Sequence, residues 1–315
     1  MMPQMTTFVG IDVAKDKLDV HLDPSGTSFA VPNTAAGVRH VARRLEPDAV
    51  IALEASGGYE RTAAEGLAAA GLTVLRLHPA DVRAFARLHG KRAKTDRIDA
   101  ALIARAAAVA AASRKPYHAD PAAADVKEMA ACRRLLHHQR AALKGQITRL
   151  ATTTMRPILA RLIKALEADI WRIEAAMAAT IAQDPRLCEN ARRIQTAPGA
   201  GPILAATLVA CMPELGTLTS RQAASLTGVA PHPRQSGTSR ARGRCQAGRA
   251  PVRAVLYMAT LAAIRCRSSS LRAFYDRLRA NGKPFKLAIV AAMRKFIVSL
   301  NTMLKHHQDW LHQPT

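Results

Sequence analysis

The chain has 315 residues, 49% hydrophobic and 22% charged, an ordinary globular composition that excludes a disordered chain, a collagen-like fibre and a disulfide miniprotein. Lys and Arg number 46 against 23 Asp and Glu, a net charge of +23, and that balance selects a polyanionic partner, most simply nucleic acid. Of the 46 bases 34 are arginine, whose planar fork suits phosphates and bases; GC-rich codon usage would explain part of that bias but not the scarcity of acids.

Residues 7–13 form a short apolar, β-branched run, and Leu18, Val20 and Leu22 then alternate with polar residues. The turn signal DPSG at 23–26 and a third extended run at 28–31 predict a meander of two or three strands. Asn33 is the expected cap of a helix running to Leu45. Buried strands follow at 49–54 (AVIALE) and 72–77 (LTVLRL), with a helix at 59–70 between them, stopped by Gly71. Further helices are expected at 80–88 and 96–112. Strands followed by alternating helix and strand describe a mixed α/β domain, taken as residues 1–118.

The middle, 119–186, reads differently. Met129, Leu136, Leu143 and Leu150 recur every seven residues, and Val126 and Ile147 share the companion heptad position with Arg133 and Arg140. Beyond Pro157 a second pattern runs through Leu159, Ile163, Leu166, Ile170, Ile173 and Met177. Two long helices broken at a proline are expected, either a dimerising coiled coil, which makes the protein at least a dimer, or a hairpin within one chain. In the first case the seam arginines could face a nucleic-acid backbone.

Residues 187–315 form the third expected domain, mostly helical. The turn TAPGAGP at 196–202 precedes an apolar helix and resembles half of a helix–hairpin–helix phosphate contact. Residues 234–253 read as a loop or short hairpin. Charge is concentrated here: 215–315 carries 17 bases and 2 acids, with ten arginines and no acid between Leu215 and Tyr275. Residues 1–120 carry 16 bases and 13 acids. This division predicts acid chemistry near the N-terminus and a polyanion-binding surface near the C-terminus.

The five cysteines are scattered without a CxxC pair, which fits a reducing compartment. The opening MMPQMTTFVGID lacks a basic stretch followed by an apolar one, and no apolar run approaches the roughly 18 residues of a membrane span. A cytoplasmic protein, on the nucleoid when bound to DNA, is expected.

Four carboxylates stand out. Asp12 ends the first strand, and an acid in an apolar strand is expensive unless paired or liganding a metal. Glu54 ends a later strand beside Gly57 and Gly58. Asp96 and Asp99, three apart in KTDRIDA, share one helix face. Parallel neighbouring strands would bring Asp12 beside Glu54, with the helix facing them. Four such groups would raise one another's pKa, and a divalent cation, Mg²⁺ or Mn²⁺, removes that conflict. Two such ions can drive phosphoryl transfer. Lys91, Arg92, Lys94 and Arg97 would hold a phosphate backbone against the site.

The blocks GIDVAKDKLDV, ALEASGGYE and RAKTDRIDAALIA, followed by TAPGAGPILAATLVA and ASLTGVAPHPRQSGTSRARGRCQAGRAPVRAVLY, resemble the DEDD transposases of insertion-sequence family one hundred and ten, the bridge-RNA-guided recombinases related to Piv-type DNA invertases. The resemblance spans nearly the whole chain. It implies a RuvC-like, ribonuclease-H-type N-terminal domain, a helical coiled-coil linker and a mostly α C-terminal transposase domain. It places a metal site on Asp12, Glu54, Asp96 and Asp99 and a nucleophilic serine on Ser236 in PRQSGTSR. It also implies donor and target DNA, an element-encoded noncoding guide RNA, and a dimer or tetramer whose protomers complete composite sites. The residues agree: Gly237 allows close approach of a phosphate, and Arg234, Arg240, Arg242, Arg244 and Arg249 could bind its oxygens. His232 is a candidate base for Ser236. The stretch GRCQAGRA departs from the Lys/Gly-rich segment of many family members.

A sugar kinase or actin-like ATPase would open on a similar strand but would leave the basic C-terminal part unexplained. A RuvC-like, structure-selective DNA nuclease using activated water is the alternative; it would share the acids and have no need of Ser236. A non-catalytic nucleic-acid binder would need no acids.

Overall fold

The computed structural model describes residues 6–310 except Ser56, 91–95, Thr152, 237–238, Gln246 and 267–268, and at 96–98, 232–236 and 239–244 it describes the backbone alone. The chain divides into two compact units, Met1–Ala119 and Asp120–Thr315.

The first unit is built on a mixed five-stranded sheet. Its strands are β1 (Phe8–Val13), β2 (Lys17–Asp23), β3 (Ser28–Pro32), β4 (Val50–Glu54) and β5 (Thr73–Leu77), in the order β3-β2-β1-β4-β5. The expected meander is present: β1–β2 and β2–β3 are antiparallel, whereas β1–β4 and β4–β5 are parallel. Alternation sorts the side chains onto two faces. Val9, Ile11, Val13, Ile51 and Leu53 pack against residues of α1 (Ala35–Ala42) and α2 (Glu60–Ala69). On the other face Ala52, Leu75 and Leu77 pack against α3 (Pro79–Leu88) and α4 (Asp96–Ala110).

Asn33 is not the cap of α1. Thr34 is, its hydroxyl accepting from the Gly37 N–H at 3.2 Å. The Asn33 amide instead donates to the carbonyls of Ala14 and Tyr59, both at 3.0 Å, and so ties the β1–β2 turn to the loop after β4.

In the second unit α5 (Pro121–Ile147) and α6 (Arg156–Gln183) pack on each other. Ile163, Ile170 and Met177 are buried in that seam, and Arg133 reaches Glu174 at 2.6 Å while Lys144 reaches Glu167 at 2.8 Å. Arg140 also lies 3.6 Å from Glu167. Pairs at 133/174 and 144/167 run in opposite directions along the chain, so the hairpin is antiparallel and the seam arginines meet carboxylates rather than a nucleic acid. The heptads are therefore satisfied within one chain. We expect Glu174→Gln to lower stability by about 1 kcal/mol, because Arg133 is then left half-buried without its carboxylate. A double-mutant cycle with Arg133→Gln in denaturant unfolding measures this; zero coupling would remove the pair from the account.

Val126, Met177 and Ile181 of the hairpin join one core with Leu187, Leu204, Leu256 and Phe296, so no boundary at 186 separates the hairpin from the C-terminal helices. That core is completed by α7 (Pro185–Gln195), α8 (Pro202–Cys211), α9 (Ser220–Thr227), α10 (Ala250–Ala263), α11 (Ser270–Ala280) and α12 (Phe285–His306). α12 is long and apolar enough to cross a membrane by length and composition, although Arg294 and Lys295 interrupt its apolar residues. Its Met293, Phe296, Ile297, Leu300 and Leu304 are buried in this core, which explains its composition. The Gly-rich turn before α8 is also a packing device: Gly199, at φ +78°, lies so close to α10 that a Cβ would meet the Ala263 nitrogen at 2.4 Å.

The candidate catalytic carboxylates and the serine hairpin

β1 and β4 run in parallel register from Phe8↔Val50 to Ile11↔Leu53, so the next residues, Asp12 and Glu54, end the two strands side by side. Both belong to the face that α3 and α4 cover. Gly10 fixes the approach of the helix to that face. A Cβ there would stand 2.0 Å from the Ala100 carbonyl oxygen and 2.3 Å from the Ala104 nitrogen, so the α4 backbone rests directly on β1. Asp99 immediately precedes Ala100, so it lies next to the point where α4 rests on the Gly10 and Asp12 face of β1. Asp96 starts α4 one turn earlier, and its side chain lies outside the described residues.

The loops around these acids are held from below. Gly57 and Gly58, at φ +70° and +92°, carry the chain from β4 into α2 through a left-handed path that residues with a Cβ resist. Glu60, 3% exposed, accepts the Gly58 N–H at 3.0 Å and takes the guanidinium of Arg76. Arg76 in turn lies over the Tyr117 ring, 5.5 Å from its centre. Burial and the nearby Glu65 push the Tyr117 hydroxyl above the usual tyrosine range.

Sequence reasoning passed over Asp19. It is the register partner of Asp12 on β2, on the same sheet face, and Lys17 neutralises it at 2.7 Å. Like charges directly opposite repel, so this ion pair relieves the strand pairing. The signal was present in the alternation of KLDVHLD, read from the turn that follows Asp12.

Ser236 ends β6 (Pro231–Ser236), and its register partner Ser239 begins β7 (Ser239–Cys245). The expected hairpin over this stretch is thus present, with Ser236 at its tip and Arg234, Arg240, Arg242 and Arg244 along its two strands. The side chains of these residues and of His232 lie outside the described residues, as do Lys94 and Gly237 entirely and the side chain of Arg97. Arg249 is engaged within the chain: it donates to the Cys211 carbonyl at 2.6 Å and meets Glu214 at 2.5 Å. It fastens the exit of the hairpin to the end of α8. The five cysteines are free.

Among the described residues, no three His, Cys, Asp or Glu side chains gather closely enough to hold one metal ion. The donor set of Asp12, Glu54, Asp99 and Asp96 is nevertheless all carboxylate, the hard-oxygen chemistry that suits Mg²⁺ or Mn²⁺.

A transposase family model of the DEDD, IS110 type matches residues 9–156, and a model of the transposase IS116/IS110/IS902 family matches residues 191–276. The pilin gene-inverting protein of Moraxella bovis is 24% identical over 316 aligned residues, covering 96% of this chain and 97% of that protein. Its Moraxella lacunata counterpart matches to the same extent. An uncharacterized 42 kDa protein of insertion element IS900 from Mycobacterium paratuberculosis is 33% identical over 199 residues, covering 62% of this chain and 46% of that protein.

Proposed function

The chain belongs to the IS110-type DEDD transposases and is a DNA recombinase, and on that footing we propose that it cuts and rejoins DNA with Ser236 as nucleophile and a divalent-cation site on Asp12, Glu54, Asp96 and Asp99. The observation that carries the reading is the side-by-side ending of Asp12 and Glu54 under the helix that delivers Asp99. The first unit, with its β3-β2-β1-β4-β5 sheet, is taken as RuvC-like. Divalent-metal use is typical of DEDD transposases, and a bound Mg²⁺ would supply Lewis-acid polarisation of the scissile phosphate.

The protein groups divide the remaining work. The Ser236 oxygen bonds to the phosphorus while one sugar oxygen leaves, and the serine proton balances the charge on that leaving oxygen. The strand is then held as a serine phosphodiester. Attack by the hydroxyl of another strand end reverses the step and joins the new pair. The arginines of the hairpin, Arg234, Arg240, Arg242 and Arg244, neutralise the phosphate oxygens. Lys94 and Arg97 hold the backbone near the carboxylates. Guidance by a noncoding RNA of the element belongs to the same proposal. So does a dimer or tetramer with composite sites, which draws its support from the family resemblance, since the heptad seam closes within one chain.

The test is a Mg²⁺-dependent recombination assay on plasmids carrying the element's ends, with its flanking noncoding RNA supplied, and a probe for DNA covalently attached to protein. Cut ends without recombinant product and without any adduct would favour the water-using nuclease chemistry instead. Binding should also weaken steeply with salt. With six to ten phosphate contacts, affinity falls by roughly 10³-fold or more between about 50 and 200 mM salt. A flat dependence in a filter-binding titration would contradict the role given to the arginine-rich second unit.

A further inference from the structure

Within the second unit a cavity of about 400 Å³ opens between α5, α6, α8 and α10. That is within the usual size range of ligand pockets. Met177, Ile203 and Val255 make an apolar floor, and Lys127, Arg134 and His137 stand on the α5 side. No acid lines it. Arg133 is already taken by Glu174, but among the described residues Lys127 and Arg134 have no acidic partner. Both lie near enough to Cys211, at the far wall, to act on its thiol electrostatically.

His137 supplies the decisive detail. Its Nδ1 accepts from the Arg140 guanidinium at 3.2 Å, which leaves the proton on Nε2. That Nε2 is buried and has no hydrogen-bond partner among the described residues. Burial, Arg133 and Arg140 hold the ring below the ordinary histidine range, so it is a neutral donor at pH 7. A buried N–H donor without an acceptor is costly, and His137 lines the cavity, so a small shift of its ring would offer that donor to a ligand atom. A ligand that fits is anionic at one end and apolar at the other, and carries a hydrogen-bond acceptor.

We infer that this cavity takes one unstacked nucleotide, its base against Met177, Ile203 and Val255, a base acceptor on His137 Nε2, and its phosphate on Lys127 and Arg134. The inference rests on the nucleic-acid reading of the chain and adds to it a built pocket for a base outside the double helix. Pro251, in the same lining, lies six residues beyond the last residue of β7, so the pocket sits at the foot of the Ser236 hairpin. A base drawn out of a strand there would fix the register of that strand relative to the hairpin.

The experiment uses the full chain carrying Ser236→Ala, so that binding is read without strand transfer. Single-stranded RNA and single-stranded DNA 12-mers bearing 4-thiouracil or 4-thiothymine are cross-linked by near-ultraviolet light, and the adducts are mapped by mass spectrometry. A fully paired duplex of the same sequence is the third arm. We expect adducts on peptides spanning 127–141, 203–211 or 251–255 with the single strands and not with the duplex. Ala254→Trp, at an exposed position on the rim, should remove these adducts and lower single-strand affinity about tenfold without changing the melting temperature. Lys127→Ala with Arg134→Ala should lower affinity and leave the adduct positions unchanged. RNA alone, DNA alone or both cross-linking identifies the source of the nucleotide. Adducts that all lie elsewhere, or that persist in Ala254→Trp, overturn the pocket. Recombination by the wild type without these adducts would sink the pocket alone; adducts at the pocket together with DNA cutting by Ser236→Ala would sink the serine reading alone.

Discussion

Ser236→Ala is expected to abolish both recombinant product and the covalent protein–DNA adduct, while DNA binding and the melting temperature stay at wild-type values. The substitution removes a single hydroxyl oxygen from the residue that ends β6, and stability should change by less than about 0.5 kcal/mol. The chemistry has no substitute for it. Arginines along β6 and β7 can hold a phosphate, but arginine stays protonated and cannot form a lasting phosphodiester. Asp12→Asn makes the complementary test. It keeps the shape at the end of β1 and removes one of the proposed ligand charges, and it should also abolish product and adduct. The two variants separate the rival chemistries. If Ser236→Ala still cuts DNA while Asp12→Asn is dead, the nucleophile is water, and the hairpin binds DNA without reacting with it.

How much of this could be read from the residues differs from element to element. Strand positions were legible from short apolar, β-branched runs and, at 18–22, from alternation; the structure then sorts the first run onto two faces, Val9, Ile11 and Val13 on one, Gly10 and Asp12 on the other. The pairing of Asp12 with Glu54 was legible only on the assumption of parallel neighbours, which β1 and β4 satisfy. The heptads told which faces pair but not whose. Arg133 and Arg140 looked like flaws in a zipper because Glu174 and Glu167 stand 41 and 27 residues further along, on the other arm of the hairpin. Asn33 and Thr34 are both good caps, and the choice between them turned on a long-range fact, the carbonyls of Ala14 and Tyr59 within reach of Asn33. The apolar surface of α12 goes with burial in the core. Nothing in the local sequence marks Ser236 as reactive. Only the family resemblance singles it out, and its place at the tip of the hairpin is compatible with that role.

Gly10→Ala should disable the enzyme from inside the sheet, without touching any carboxylate. The added methyl would meet the Ala100 oxygen at 2.0 Å and the Ala104 nitrogen at 2.3 Å. Both are backbone atoms of α4, so no side-chain rotation relieves the contact, and the helix must move off the sheet. Overpacking of this kind costs about 1–3 kcal/mol. The movement also displaces Asp99, one residue from the contact, away from Asp12. A misplacement of about 1 Å at a reacting centre lowers rates by roughly 10²-fold. The expected result is therefore a fall in recombination of about that size, measured well below a lowered melting temperature, so that unfolding does not account for it. Gly145→Ala is the control. That glycine lies within α5, where an added Cβ meets only the flexible end of Arg149 at 3.5 Å, so the change should raise stability by about 0.5–1 kcal/mol and leave recombination unchanged. Wild-type recombination and melting in Gly10→Ala would mean that α4 does not rest on β1, and the carboxylate site would lose the contact that assembles it.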